Sequence, residues 1–557
     1  MVGAKVIAGR LSGRLVVAHE EGWVSAPFPG GVAHARGFAF RGLDRIDARA
    51  LADEARHITS GPEVSAYLRR LNGHFALVVE GDQSLWAAVD PLRSMPLFYR
   101  RHGSSVLLSD SANLLLRRDE PLALDQTAAA AVLKAGYTLG DATLYPDVKE
   151  LQAGQFLVVS SEDVSARFYY QHIHTPRALE FATIMDDLDA VSKNVFSRLI
   201  NSLGGRTCVI PLSGGYDSRY IATMLRRCGY TSVICYSYGA EGSDEVVTSQ
   251  RVAAALGYPW FSVKYTPEKW RAYLESEDAA LYELECGNGS AIPHVQEYIA
   301  LNELVQSGKL PEDAVVVPGF SGDLLGGSYV PPEVASPLAS ELLRAGLGDY
   351  ISKTHLSFSQ AVSPAMMETL RERIQDTLSE YPPVETIEDF VSVHEAWFTV
   401  HKVAKFVVNS LRVYEHFGFE WLMPLWDREL CDFWYTVPLQ YRQRSELYES
   451  YLFERVFEPL SVGFRKAPPL GDSAPIKILH SFLPEAWYAA LRRVHGKVKL
   501  RYWPPDPNGF LTLAEFLRKD LLEAQGLKVP RAHNVNEVIA PYFLSRLPLL
   551  LSSFSAS

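Results

Sequence analysis

No stretch of the 557-residue chain comes near the run of roughly 18 consecutive apolar residues that a membrane-spanning helix needs. Cysteine is scarce and scattered: Cys208, Cys228, Cys235, Cys286 and Cys431 are an odd number with no Cys-x-x-Cys pair. A disulfide framework and a structural zinc site are therefore not expected, which fits a reducing compartment. Positive charge is in deficit, with 54 Lys and Arg against 65 Asp and Glu and a net charge of −11, so a broad nucleic-acid surface is not expected. The first residues lack the charged, apolar and small-residue regions of a signal peptide, and the expectation is a cytoplasmic protein. Internal repeats and low-complexity tracts are absent as well. What is present is the balance of a soluble globular protein, 47% hydrophobic and 21% charged. The chain is too long for one ordinary core, so two domains and a further piece are expected.

Residues 1–172 alternate short apolar runs with turn residues, at 5–7, 75–79, 86–89, 97–99, 106–108 and 156–159, with a helix over 127–134. That spacing predicts a strand-rich domain of antiparallel character, closed by a linker at 172–176. The pattern then changes over residues 177–470. An amphipathic stretch at 185–203 precedes a strand at 208–212, a glycine loop and a helix over 218–228 with Tyr220, Ile221, Met224 and Leu225 at helical spacing. Further strands at 232–236 and 260–263 flank a helix at 246–256, the sheet resumes at 314–317, and most of 335–457 reads as helical. This order predicts a parallel α/β sheet with right-handed crossovers. The last segment, 471–557, reads as a mainly helical extension. Its basic cluster (Arg492, Arg493, Lys497, Lys499, Arg501) reads as a solvated face, and its apolar end at 542–554 as a docked helix. The fold class expected is α/β: an α+β sandwich, a parallel-sheet domain, and a helical C-terminal part.

The strongest chemical signal is Pro211-Leu212-Ser213-Gly214-Gly215-Tyr216-Asp217-Ser218, with a strand running in and a helix running out. Unpaired N–H groups and the positive end of the dipole at such a junction favour a phosphate anion. Adjacent Gly214 and Gly215 let the backbone approach that anion, and Ser213 and Ser218 add hydroxyl donors. Asp217 is placed to hold the magnesium that accompanies ATP.

This loop is the signature of the ATP pyrophosphatase superfamily. Around it, nearly the whole chain resembles glutamine-hydrolysing asparagine synthetase and its relatives. Tyr236-Ser237-Tyr238-Gly239, followed by Ser243-Asp244-Glu245, resembles the family's second nucleotide-side segment, which implies that Tyr236, Ser237 and Glu245 lie beside ATP. Gly319-Phe320-Ser321-Gly322-Asp323, followed by Gly326-Gly327, resembles its second pyrophosphate-side loop. The resemblance implies that Gly319 and Ser321 bind phosphate there, and that Asp323 shares Mg2+ with Asp217. Met423-Pro424-Leu425-Trp426-Asp427 resembles the family's proline-containing segment, and Arg465-Lys466 its late arginine–lysine stretch. Lys466, Asp217 and Asp323 are then the catalytic residues that the resemblance implies, with ATP and Mg2+ as cofactors.

The N-terminal segment resembles the family's glutaminase domain, an Ntn-hydrolase-like sandwich, at Leu71-Asn72-Gly73-His74-Phe75-Ala76, Asp90-Pro91-Leu92-Arg93, Pro96-Leu97-Phe98-Tyr99, Ser109-Asp110-Ser111-Ala112 and Thr143-Leu144-Tyr145. It departs where the chemistry would be. The family's nucleophile is a cysteine at position two, whereas this sequence reads Met1-Val2-Gly3-Ala4-Lys5 and has no cysteine before Cys208. Gly37-Phe38-Ala39-Phe40 and Gly61-Pro62-Glu63 stand where the family has its glutamine-binding turns, so nucleophile, oxyanion donor and substrate clamp are all expected to be missing. Phe320 stands where relatives carry a glutamate or a tyrosine that assists proton transfer; His294, Glu283, or an amine needing little help are the alternatives. The expected function is an AMP- and pyrophosphate-forming amide ligase that joins ammonia or an amine to a small-molecule, sugar or peptide carboxylate without glutamine hydrolysis. The second loop looks most like the synthetase-like proteins of surface-polysaccharide clusters, which amidate uronic acids. Lasso-peptide cyclases and β-lactam synthetases remain the alternative, and an ATP-binding scaffold is a third reading. No nucleic-acid or membrane partner is expected, and a homodimer is compatible with the sequence.

Overall fold

In strand Asn72–Glu80, Phe75, Leu77 and Val79 face one side while Ala76 and Val78 face the other, and both sets are buried. A strand apolar on both faces must be covered on both. Helices Ala48–Ala55 and Gly61–Leu68 cover the first face through Leu51, Ala52, Val64 and Leu68. The second face meets another sheet, contributed by Leu97, Phe98, Val106 and Leu108. The computed structural model describes residues 5–7, 13–17, 22–81, 85–102, 105–117, 122–160, 164–320, 322–465, 506, 508–526, 529 and 534–556.

The sheet beneath the helices has seven strands in the order Val164–Phe168, Gln155–Val159, Leu85–Val89, Asn72–Glu80, Gly31–Arg41 and Trp23–Phe28, with Asp44–Asp47 paired to Gly31–Arg41, all antiparallel. The facing sheet has five, in the order Lys5–Ile7, Gly13–Val17, Ser105–Ser109, Phe98–His102 and Lys149–Glu150. Residues 37–40 lie inside strand Gly31–Arg41. Gly61-Pro62-Glu63 opens a helix: Ser60 is its N-cap, and Glu63 closes a capping box. Both segments that depart from the glutaminase pattern thus serve ordinary secondary structure.

A third sheet has five parallel strands in the order Trp260–Lys264, Val233–Gly239, Cys208–Pro211, Val315–Val316 and Glu420–Trp421. The chain enters at the central strand, winds outward on one side, then returns to the other side of Cys208–Pro211. In an open α/β sheet, ligands bind outside the carboxyl ends of the strands where the winding reverses. Here that crevice lies after Pro211 and after Val316, at the two glycine loops singled out above.

The expected amphipathic stretch is helix Phe181–Leu203, four residues longer at its start. Helix Ile387–Phe398 runs straight into a π-helix, Thr399–Val407. The apolar end is helix Asn536–Ala556, docked through Val538, Ile539, Ala540, Phe543 and Leu547, with the Phe543 ring against Gly287. The basic cluster between Arg492 and Arg501 lies outside the described residues. Among the described residues, no helix is long and apolar enough to cross a membrane. The expected linker has no regular structure but is packed: His172 donates through Nε2 to the Pro91 carbonyl (2.9 Å) and accepts at Nδ1 from the Tyr435 hydroxyl (2.7 Å). Glu150, in the last strand of the facing sheet, is fully buried against Arg93 (2.9 Å), Ser290 (2.6 Å) and Lys405.

Candidate functional site

Strand Cys208–Pro211 is nearly all buried, and the next residue, Leu212, donates its N–H to the Tyr236 carbonyl (2.8 Å), which fixes where the strand stops. Helix Tyr216–Arg227 starts on Gly215, which offers no side-chain cap. Its first N–H groups are therefore left for another acceptor. The loop between is shaped by its serines. Ser213 N–H donates to Ser218 Oγ (3.1 Å), Gly215 N–H donates to Ser213 Oγ (3.1 Å), and the two hydroxyls lie 3.2 Å apart. At Gly214 a Cβ would come within 3.3 Å of Glu245 Cα, so the start of helix Asp244–Leu256 abuts the loop and brings exposed Glu245 to its rim.

The second loop is pressed onto the first. A Cβ at Gly319 would lie 2.4 Å from Ser218 N, and one at Gly322 would lie 2.7 Å from Leu425 Cδ1 and 3.0 Å from the Tyr448 hydroxyl. Only glycine permits that approach. It brings two carboxylates together: Asp323 N–H donates to Asp217 Oδ2 (3.3 Å), while Tyr448 O–H donates to Asp217 Oδ1 (2.7 Å). Burial first, and then the neighbouring Asp323 carboxylate, push the Asp217 carboxyl up to about 7. No cluster of three or more metal-ligating side chains exists among the described residues. Two converging carboxylates without a third fit Mg2+, which takes one or two protein carboxylates and completes its shell with phosphate and water oxygens. Asp217 and Asp323 are thus the residues that could hold it.

Lys466 and Ser321 lie outside the described residues. The described residues before Lys466 are tied to the first glycine loop by Arg219. This buried guanidinium donates to the carbonyls of Gly214 (3.2 Å), Val462 (3.2 Å) and Phe464 (2.5 Å), and it stacks on Tyr216 and Phe457. Arg465 follows, its guanidinium 4.3 Å from the Phe453 ring centre. Sequence reasoning passed over both Arg219 and Tyr448. Arg219 directly follows the loop, a position that suggests an anion contact, yet its side chain turns back to protein carbonyls; Tyr448 carries no local signal.

Other expectations fare differently. The Tyr236 hydroxyl is buried and donates to Glu297 (2.5 Å), whose other oxygen accepts from Tyr414 (2.8 Å), so its phenol belongs to the core. Ser237, next along strand Val233–Gly239, is buried too. Glu283 accepts from Tyr273 (2.9 Å) and pairs with Arg546 of the C-terminal helix (3.3 Å), a structural tie rather than a free base. Burial pushes the His294 imidazole down to about 4, and its ring packs against Phe406. The Phe320 carbonyl accepts from Trp426 Nε1 (3.1 Å), so the proline-containing segment props the second loop.

Residues 204–460 match the asparagine synthase family model, and residues 58–170 match that of a glutamine amidotransferase domain. No curated protein matches the chain. Among solved structures, the chain is similar to an NH3-dependent NAD synthetase from Campylobacter jejuni, at 16% identity over 37% of this chain and 100% of that one, with a TM-score of 0.20. It is also similar to a glutamine phosphoribosylpyrophosphate amidotransferase from B. subtilis, at 11% identity over 43% of this chain and 72% of that one, with a TM-score of 0.19. At such identities and TM-scores, neither says anything about the chemistry of this chain.

Proposed function

The chain belongs to an asparagine synthetase-like family, and from that premise we propose that this ATP-dependent carbon–nitrogen ligase activates a carboxylate as its adenylate and passes the acyl group to ammonia or an amine without hydrolysing glutamine. The observation that carries the reading is the meeting of the uncapped helix start at Gly215 with the Asp217–Asp323 pair, across two loops that only glycine could bring so close. The helix N–H groups and the loop backbone receive the phosphates of ATP. Mg2+ held by Asp217 and Asp323 would neutralise charge on the departing pyrophosphate.

A carboxylate oxygen attacks the α-phosphorus, and pyrophosphate leaves toward Gly215, Ser218 and Lys466. The amine nitrogen then attacks the acyl carbon, AMP departs, and the nitrogen loses a proton. Phe320 cannot accept that proton, so a basic amine or solvent takes it. Arg219 holds the Val462 and Phe464 carbonyls beside the Gly214 carbonyl, at the first glycine loop. Lys466 meets charge that develops mostly in the transition state.

Two observations support the absence of glutamine hydrolysis: residues 37–40 lie inside a strand and residues 61–63 open a helix, where the resemblance places the glutamine-binding turns. The Asn72 amide is also fully engaged with the other domain, donating to Asp427 Oδ1 (3.1 Å) and accepting from Arg428 N–H (3.0 Å). Uronic acids of surface polysaccharides are the carboxylates that the family resemblance favours. Pyrophosphate exchange into ATP, run with uronic acids, aspartate and short peptides, tests the reading. Exchange with at least one acid is expected, and ATP binding with no exchange for any acid would leave a scaffold.

A further inference from the structure

The second glycine loop runs into the short helix Gly322–Leu325, which carries Asp323 in its first turn. The last carbonyls of a helix have no partner within it. For Leu325 the partner comes from far along the chain: Arg442 donates to the Leu325 carbonyl through both Nε (3.1 Å) and Nη2 (3.0 Å). Arg442 is completely buried, and its charge is matched by Glu395, which accepts from Nη2 (2.6 Å). His174 completes the set with its proton on Nε2, donating to Glu395 (3.1 Å) and accepting at Nδ1 from Arg442 Nη1 (3.0 Å). Its ring stacks on Tyr435, with 5.2 Å between centres and 19° between planes. A guanidinium so paired and so bonded fixes where the helix bearing Asp323 ends.

Tyr448, in the following helix Glu446–Tyr451, reaches the other carboxylate, donating its hydroxyl to Asp217 Oδ1 (2.7 Å). Both residues press on the end of the second loop. A Cβ at Gly326 would lie 2.7 Å from Tyr448 Cβ, and one at Gly327 would lie 2.1 Å from the Arg442 carbonyl oxygen. Between the two contacts, Arg444 and Ser445 take left-handed backbone angles, with φ of 56° and 57°. Residues other than glycine adopt that conformation at a cost, and persist in it where the surroundings impose it. Here anchored Arg442 stands on one side, and Tyr448, its ring edge-on to Tyr220 and Trp434, on the other. One short segment thus grips the helix that bears Asp323 and the side chain of Asp217 at once.

We propose that segment 442–448 is a brace that sets the spacing of the two metal-binding carboxylates, with Arg442 and Tyr448 as positioning residues for Mg2+. Arg442 holds Asp323 through the Leu325 carbonyl, and Tyr448 orients Asp217 directly. Mg2+ demands near-ideal octahedral geometry, so a small displacement of either carboxylate weakens its binding, while the helix N–H groups keep their hold on phosphate. This inference rests on the assignment of Mg2+ to Asp217 and Asp323 in the reading above, and names two residues that tune that same site.

Equilibrium dialysis of a non-hydrolysable ATP analogue tests it on the whole chain, once with Mg2+ and once with EDTA. The ratio of the two affinities reports the metal that the carboxylates hold. In wild type Mg2+ should tighten the analogue at least about a hundredfold, because carboxylates facing phosphates need a cation between them. Tyr448→Phe deletes one hydroxyl, and Arg442→Lys keeps the charge but not the planar fork; each should cut that ratio about tenfold. Affinity in EDTA should stay within about twofold of wild type, since the helix N–H groups are untouched. The double variant should lose less than the roughly hundredfold that two independent effects would give, because both act on one pair. An unchanged ratio in Tyr448→Phe overturns the inference. So does equal weakening with Mg2+ and with EDTA, which would make the segment a general support, and so does full additivity in the double variant. Should Arg442→Lys fail to fold, His174→Phe keeps a ring on Tyr435 but removes the acceptor from Arg442, and should cut the ratio about threefold. No change in that variant would detach Arg442 from the metal. The underlying reading fails separately. Asp217→Asn with the wild-type ratio would sink the metal assignment, whereas a normal ratio without pyrophosphate exchange would sink the ligase and keep the brace.

Discussion

Asp217→Asn should make the free protein more stable and the enzyme nearly inactive, and the two effects should separate by pH. Asp217 is partly buried beside Asp323, and its carboxyl is pushed from 3.8 up to about 7. A carboxyl whose pKa is raised on folding contributes stability that is full below its unfolded value and is lost as pH rises through the folded one. Between pH 4 and 8 a shift of roughly three units corresponds to at most about 4 kcal/mol, at 1.36 kcal/mol per unit. Residual solvent contact screens part of this, and asparagine keeps only one of the two accepted hydrogen bonds, worth about 1 kcal/mol. A net gain of about 1–2 kcal/mol at pH 8 remains, which for a domain of this size raises the apparent Tm by roughly 2–4 °C per kcal/mol. At pH 5 the gain should vanish, because only about one unit of the penalty remains above the unfolded value of 3.8, no more than the cost of the lost hydrogen bond. Pyrophosphate exchange should fall by about a hundredfold or more, since a charged ligand beside three phosphates is lost. Calorimetry at pH 5 and pH 8 without nucleotide, alongside exchange assays, reads both. A variant no more stable than wild type at pH 8, or one retaining full exchange, would refute the electrostatic account of the pair.

Lys466→Met should leave nucleotide affinity near normal while lowering turnover about a hundredfold, or about 3 kcal/mol, because the lysine acts mostly in the transition state. Steady-state kinetics beside nucleotide titration check this, and a variant matching wild type would make Lys466 a solvated charge. Glutamine alone should not support product formation while ammonia or an amine does, and glutamate released in step with product would overturn that expectation. Arg219→Leu removes the guanidinium that joins the carbonyls of Gly214, Val462 and Phe464, so turnover should fall by about tenfold or more with a smaller change in ATP affinity. Unchanged turnover in this variant would detach Arg219 from the site.

The first glycine loop, between its strand and its helix, was legible from the sequence because every cue is local. An apolar strand, two glycines, an aspartate and an amphipathic helix follow one another within about twenty residues, and each has its own physical reason to be there. The second loop has no such frame, since its strand is only Val315–Val316, and the resemblance rather than any pattern pointed to Asp323. Tyr448 lies 231 residues from the carboxylate it holds, a separation that no periodicity spans. For Tyr236 it was again the resemblance that implied a place beside ATP, and no pattern in the sequence told that the strand's alternation turns its phenol into the core toward Glu297. The π-helix at Thr399–Val407 was also invisible, because its apolar spacing differs from that of an α-helix by one residue per turn.

The strand-rich N-terminal part also holds residues of the parallel-sheet part in place. Asn72 grips Asp427 and the N–H of Arg428, and Asp427 is gripped from the other side by Arg198 through two hydrogen bonds (2.7 and 2.9 Å). Asp427 caps the helix that begins at Arg428, and its neighbour Trp426 holds the Phe320 carbonyl at the second glycine loop. Leu425, one residue earlier, fills the space that Gly322 leaves beside Asp217. A continuous path of hydrogen bonds and packing therefore runs from the first domain to the carboxylate pair. At the same interface Glu150 neutralises Lys405 and Arg93, which would otherwise be cations buried without a counter-charge, a loss that costs about 3–5 kcal/mol when one partner of such a pair is removed. Asn72 and Glu150 thus serve the geometry of the carboxylate pair and of the buried cations whatever chemistry the strand-rich part carries.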